Sequence, residues 1–126
     1  MNKILIVDDQ PHIRLLLEQT LQDLEDEGVE ILTADNGESA LDIICRQRPQ
    51  IVFLDVMMPK MNGLDVCHKV KKELCIQGIH IVLLTAKGQE FDKKKGAEVG
   101  ADLYMTKPFN PDEVLALAAG VLGITL

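Results

Sequence analysis

The stretch IVFLDVMMPKMNG, residues 51–63, runs four apolar residues (Ile51, Val52, Phe53 and Leu54) into a carboxylate, Asp55. A Met pair, Pro59 and Gly63 follow. A short apolar run with β-branched residues and no in/out alternation predicts a strand covered on both faces. Its last residue then stands where the core ends. Asp55 either marks the point at which the chain meets water or is delivered there to react.

Similar runs recur on either side. KILIV (3–7), VEILTA (29–34) and HIVLL (80–84) are short, apolar and β-branched, and DLYMT (102–106) is a weaker fifth candidate. Helical spacing lies between them. Ile13, Leu16, Leu17, Thr20, Leu21 and Leu24 follow the i, i+3, i+4, i+7 pattern, with Pro11 in the first turn, where its missing N–H costs nothing. Asn36 is placed to cap a second helix carrying Ala40, Leu41 and Ile44. Leu64, Cys67, Val70 and Leu74 mark a third, with Asp65 and Lys69 at i, i+4. A fourth, poorly formed, is expected from about Gln89 to Val99, ending at Gly100. Asn110, Pro111, Asp112 and Glu113 open a fifth with a cap, a proline and two acids suited to a helix N-terminus.

Five strand–helix units in succession predict an α/β fold, a doubly wound parallel sheet with right-handed crossovers and helices on both faces. The 126 residues suffice for one domain over 1–126. Hydrophobic residues make up 47% of the chain, with no Trp, so Ile, Leu, Val and Ala build the core. The net charge of −7 disfavours binding to a nucleic-acid backbone. Lys93, Lys94 and Lys95, the dense basic run, read as the solvated face of a helix. Cys45, Cys67 and Cys75 form no CxxC pair and read as reduced thiols of a cytoplasmic protein. The uncharged run from Val114 to Leu126 is shorter than the ~20 residues that span a bilayer, so no membrane association is expected. His12, His68 and His80 do not pair at metal-ligand spacing.

In doubly wound sheets the ligand crevice lies outside the carboxyl ends of the strands. There stand Asp8 and Asp9 after strand one, Asp55 after strand three, Thr85 after strand four and Lys107 after strand five. Each has an ordinary reading alone: Asp9 as a helix cap, Thr85 as a turn residue, Lys107 as a surface lysine before a proline. Together they make a site. Carboxylates ~4 Å apart repel by on the order of 4 kcal/mol per pair at an effective dielectric near 20, so a convergent set needs a cation. Oxygen-only ligands favour Mg²⁺ over zinc. The ammonium of Lys107 and the hydroxyl of Thr85 then offer an anion site, and a carboxylate between metal and anion site is arranged to accept a phosphoryl group.

At these residues the chain resembles the receiver domain of bacterial two-component response regulators, of the chemotaxis-regulator type. The resemblance runs through ILIVDDQ, IVFLDVMMPKMNGLDV, IVLLTAKG and GADLYMTKPF, nearly the whole chain. It implies a flavodoxin-like strand order 2-1-3-4-5 and phosphorylation of Asp55 by a histidine kinase or phosphotransfer protein. It implies that Asp9, Asp55 and the Met57 backbone carbonyl hold Mg²⁺, with Asp8 assisting through water. Thr85 and Lys107 would bind the phosphoryl oxygens, and Tyr104 would move with Thr85. The Lys107–Pro108 bond would be cis. Met57 and Lys87 would tune phosphate lifetime, with modest self-dephosphorylation expected. The domain would not be an enzyme beyond its own phosphorylation and slow dephosphorylation. Its output would pass through the strand-four, strand-five and fifth-helix face to a downstream effector or output domain.

Gly63 is expected to let the chain turn into the third helix, and Pro59 to stiffen the loop before it. In the fifth helix Leu115, Ala118, Ala119 and Leu122 face the core. Ala116, Gly120 and Gly123 form a small-residue stripe suited to a homodimer through the fourth-helix, fifth-strand and fifth-helix face. Either a stand-alone regulator or the N-terminal receiver of a multidomain DNA-binding regulator fits a chain stopping at Leu126. An Mg²⁺-dependent aspartyl-phosphate hydrolase would want a second acid where Met57 stands. A flavin or nucleotide module would want a Gly- or Ser/Thr-rich loop in place of DDQPH.

Overall fold

Five parallel strands form one sheet in the computed structural model, which describes residues 2–58, 61–86 and 98–125. They are β1 (Lys3–Val7), β2 (Glu30–Ala34), β3 (Ile51–Asp55), β4 (His80–Ala86) and β5 (Leu103–Lys107), in the order β2-β1-β3-β4-β5. The order implied by the resemblance is the one observed. β3 lies in the middle and all five of its residues are buried, as its unalternating apolar run requires.

The period of two divides the core into two layers. Leu5, Val52, Leu54, Ile81 and Leu83 meet Ala40 and Ile44 of α3 (Gly37–Gln47) and Val66 and Cys67 of α4 (Gly63–His68). On the opposite face Ile4, Ile6, Phe53, Val82 and Leu84 meet Leu17 of α1 (Pro11–Thr20), Leu24 of α2 (Gln22–Asp26) and Val114 and Ala118 of α5 (Pro111–Leu122). Asn36 caps α3 by accepting from the Ser39 N–H at 2.8 Å, and Asn110 caps α5 by accepting from Asp112 at 2.9 Å. Both caps are those expected from the sequence. Asn62 caps α4 in the same way through Asp65, at 2.9 Å. Cys67 is buried, whereas Cys45 and Cys75 are exposed.

Several helical expectations need correction. The first helix breaks at Leu21, whose φ of −96° and ψ of 6° leave the helical region. The Thr20 hydroxyl donates to the Leu16 carbonyl at 2.8 Å, a back-bond that bends helices. Leu17, Leu21 and Leu24 carry the buried stripe, whereas Leu16 is 43% exposed. The third helix widens into a π-helical turn at Lys69–Glu73, closed by Leu74 N–H to Lys69 carbonyl at 2.8 Å. That turn shifts the phase, so Leu74 is exposed and Ile76 is buried in its stead. Lys69 pairs with Glu73, at 3.4 Å, not with Asp65. Gly123 ends α5 in the left-handed region at φ 70°, so it is a C-cap and not a helix-interior residue. Residues 89–97 of the expected fourth helix, with the lysine run 93–95, lie outside the described residues, while Glu98 is helical, Val99 lies in a turn and Gly100 follows with φ 87°. Among the described residues no helix is long and apolar enough to cross a membrane.

Candidate functional site

Strand register brings the acids together. Val7 pairs with Leu54, so Asp8 and Asp55 stand side by side at the ends of neighbouring strands. Asp9 follows at the surface. One carboxylate oxygen from each of Asp8, Asp9 and Asp55 lies within 4.8 Å of the other two. Asp8 is wholly buried and Asp55 is 5% exposed, so water screens their repulsion poorly.

The fourth member comes from β5. Lys107 Nζ donates to Asp8 Oδ2 at 2.7 Å and lies 3.4 Å from Asp55 Oδ1. Ala86 pairs with Lys107 in the last step of the β4–β5 ladder, which carries the ammonium to the crevice. The Lys107–Pro108 bond is cis, as the resemblance implies. One ammonium facing three carboxylates leaves a deficit of positive charge. Burial, and then the neighbouring Asp8 charge, push the Asp55 carboxyl up from 3.8 to about 6, against the opposing pull of Lys107 and the Met57 N–H.

Backbone groups shape the acid loop. The Gln10 N–H donates to Asp8 Oδ1 at 2.9 Å, so Asp8 and not Asp9 braces the start of α1, and Gln10 is the N-cap without a side-chain bond. Asp9 as a helix cap is therefore set aside. Arg14, which the strand-end reading missed, donates from Nη1 to the Asp8 carbonyl at 2.7 Å. Its signal was a cation one helical turn past a pair of acids.

The remaining candidates divide. Thr85 is buried and turns its hydroxyl to the Met105 carbonyl at 3.4 Å. Tyr104 is half-buried against the α3–α4 layer. Met57 exposes its side chain (59%), while its N–H donates to Asp55 Oδ1 at 3.3 Å. Lys87 and Pro59 lie outside the described residues. Gly63 serves a purpose other than the expected turn: a Cβ there would sit 2.3 Å from the Asp55 carbonyl oxygen. The first turn of α4 thus touches the end of β3 directly, and Gly63 N–H bonds the Val56 carbonyl at 3.0 Å. Gly37 is equally confined, its added Cβ falling 2.2 Å from the Met61 carbonyl oxygen.

Comparison with known proteins finds relatives across nearly the whole chain. The sequence model of the response regulator receiver domain matches residues 4–119. The probable transcriptional regulator ycf27 of Porphyra purpurea is 46% identical over 120 residues, covering 95% of this chain and 47% of that protein. The alkaline phosphatase synthesis transcriptional regulatory protein PhoP of Bacillus subtilis is 44% identical over 120 residues, covering 95% and 48%. The chain therefore spans about half the length of the curated relatives it matches. Among solved structures, chemotaxis protein CheY4 of Vibrio cholerae superposes with a TM-score of 0.81 at 34% identity, over 96% of this chain and 98% of that one.

Proposed function

Since the chain belongs to the response regulator receiver domain family, we propose that it is a two-component signalling receiver whose phosphoacceptor is Asp55. The observation that carries this reading is the ammonium of Lys107 shared by Asp8 and Asp55 at the mouth of β3. The donor is a phosphohistidine on a histidine kinase or phosphotransfer protein. An Asp55 carboxylate oxygen attacks phosphorus, the P–N bond breaks, and the imidazole departs.

The donor set fits Mg²⁺. It holds oxygen ligands alone, with three carboxylates and one ammonium, and the Asp8 charge, second to burial in raising the Asp55 pKa, is a repulsion that a divalent cation would relieve. Asp9, Asp55 and the Met57 carbonyl would hold the ion, with Asp8 behind them, and when bound it neutralises charge on the transferring oxygens. Lys107 orients the phosphoryl group from the β5 side. Thr85 exchanges its Met105 carbonyl for a phosphoryl oxygen, and Tyr104 follows into the space beside it. Phosphorylation adds charge and acceptor oxygens that bias a two-state equilibrium of the β4–β5–α5 surface toward the effector or output domain. The side chain of Met57 offers no hydrogen bond to an attacking water, consistent with modest self-dephosphorylation. Lys87 is assigned to the same tuning. Beyond these steps the domain is a switch and not an enzyme, and it works in the cytoplasm.

With Mg²⁺ and a small acyl phosphate, the chain is expected to gain the mass of one phosphoryl group, and a chelator to prevent it. No gain under any Mg²⁺ concentration would sink the reading. Mg²⁺ itself is expected to stabilise the unphosphorylated chain by about 1.4 kcal/mol at ten times its dissociation constant, seen as a rise in melting temperature.

A second copy is the partner we assign to the β5–α5 surface. Ala116 and Gly120 are exposed on α5, nothing lies within 4 Å of a Cβ built at Gly120, and Leu103 of β5 is also exposed. Gly120→Lys is expected to abolish a dimer seen by light scattering. A strictly monomeric parent chain, with and without a phosphate mimic, rules that dimer out.

A further inference from the structure

Lys107 reaches the acids from an edge strand. Among the described residues β5 hydrogen-bonds to β4 alone, and its burial alternates weakly, with exposed residues at Leu103 and Thr106. Strands of this kind hold their register poorly, and a slip of one residue carries every side chain to the other face. Such a slip would take Lys107 out of the crevice and exchange the positions of Tyr104 and Met105. Something must pin the strand.

The entry to β5 is gripped at successive points by the helix packed beside it. Cys67 Sγ lies 3.4 Å from the Val99 carbonyl oxygen, in hydrogen-bonding position. Gly100 lies so close to the π-helical turn that an added Cβ would be 2.9 Å from Lys71 Cβ. Asp102 then clasps Ile81 of β4 twice. Its N–H donates to the Ile81 carbonyl at 3.0 Å, and its Oδ2 accepts from the Ile81 N–H at 2.8 Å. The carboxylate thereby stands in for the ladder acceptor one step before the strand begins. Lys71 Nζ closes the clasp, 3.0 Å from the same Oδ2 and donating to the Ile79 carbonyl. Its side chain is 18% exposed. Lys71 lies within the π-helical turn, a rare geometry concentrated at functional sites, which gives that turn a purpose.

We propose that Lys71 and Asp102 form a register lock on β5 and are positioning residues for Lys107, about 16 Å away along the strand. This rests on the reading of Asp55 and Lys107 given above. The lock touches neither β1 nor the end of β3, so it reaches the acids only through the ammonium of Lys107, which is paired with Asp8 and Asp55. Its action is on the placement of the ammonium and, through the same register, of Tyr104.

Three measurements test the lock at a temperature well below melting: the rate of phosphate gain from a small acyl phosphate, the Mg²⁺ affinity, and amide hydrogen exchange over Tyr104–Lys107. In Lys71→Met and in Asp102→Asn the rate is expected to fall about tenfold, since misplacing a reacting group by an ångström costs up to ~100-fold. Amide exchange in β5 is expected to quicken, Mg²⁺ affinity to rise as the competing ammonium leaves Asp8 and Asp55, and Lys71→Arg to restore all three. Asp102→Asn keeps an oxygen for the Ile81 N–H, so its defect isolates the ion pair. A parental rate in Lys71→Met, even with a lowered melting temperature, overturns the positioning role. Parental exchange in β5 overturns the lock itself. If the parent chain gains no phosphate, the Asp55 reading fails, and amide exchange still decides whether β5 is locked.

Discussion

Asp55→Asn is expected to remove all phosphate gain and, with metal chelated, to make the chain more stable at pH 7.5 by up to about 3 kcal/mol. The two effects share one cause. Asp55 sits at the end of a buried strand beside a wholly buried Asp8, and ionising it there is costly. Its folded pKa of about 6 exceeds the ordinary 3.8, first through burial and second through Asp8. A carboxyl raised in this way contributes stability that is fully present below about pH 4. That contribution is lost as pH rises to 6, because the unfolded chain releases its proton earlier than the folded one. Asn keeps the Oδ1 acceptor for the Met57 N–H but does not ionise, so that decline should be missing from its curve. Urea titrations at pH 5 and pH 7.5, both in chelator, measure the difference. An Asn variant less stable than the parent at pH 7.5 would contradict the electrostatic account, and phosphate on that variant would contradict the site.

Gly63→Ala should produce a large loss of stability from a single methyl group. The added carbon would fall 2.3 Å from the Asp55 carbonyl oxygen and 2.9 Å from its carbon. Both are main-chain atoms of the central strand, with no rotamer through which to escape. Either α4 withdraws, stretching the Gly63–Val56 hydrogen bond, or the end of β3 shifts and takes Asp55 with it. Overpacking of this kind costs on the order of 3 kcal/mol. Mg²⁺ affinity should fall together with the urea midpoint, because the displaced backbone carries Asp55, a ligand in the proposed site. Gly120→Ala is the matched control, since nothing lies within 4 Å of its added carbon. Ala in an exposed helix interior should gain about 0.5–1 kcal/mol. Equal midpoints for the two variants would refute the close approach at Gly63.

Much of this protein follows from local pattern. An unalternating apolar run is satisfied by a strand covered on both faces, so IVFL read as a buried strand without any partner in view, whereas its central place followed from the order that the resemblance implied. The same logic set Asp8, Asp55, Thr85 and Lys107 at strand ends, and the caps Asn36 and Asn110 are chemistry of adjacent residues. What adjacency does not encode, only the tertiary structure decided. Leu16 satisfies the helical period yet faces water, because the break after Thr20 and the line of Leu17, Leu21 and Leu24 choose which face meets the sheet. Leu74 loses its place to Ile76 through a π-helical turn that holds Lys71, paired at 3.0 Å with Asp102, 31 residues downstream. Gly63 reads as a turn residue until the Asp55 carbonyl is found against it. Periodicity reports which residues seek the core. Which atoms then meet, and at what distance, depends on register and packing between segments far apart in the chain.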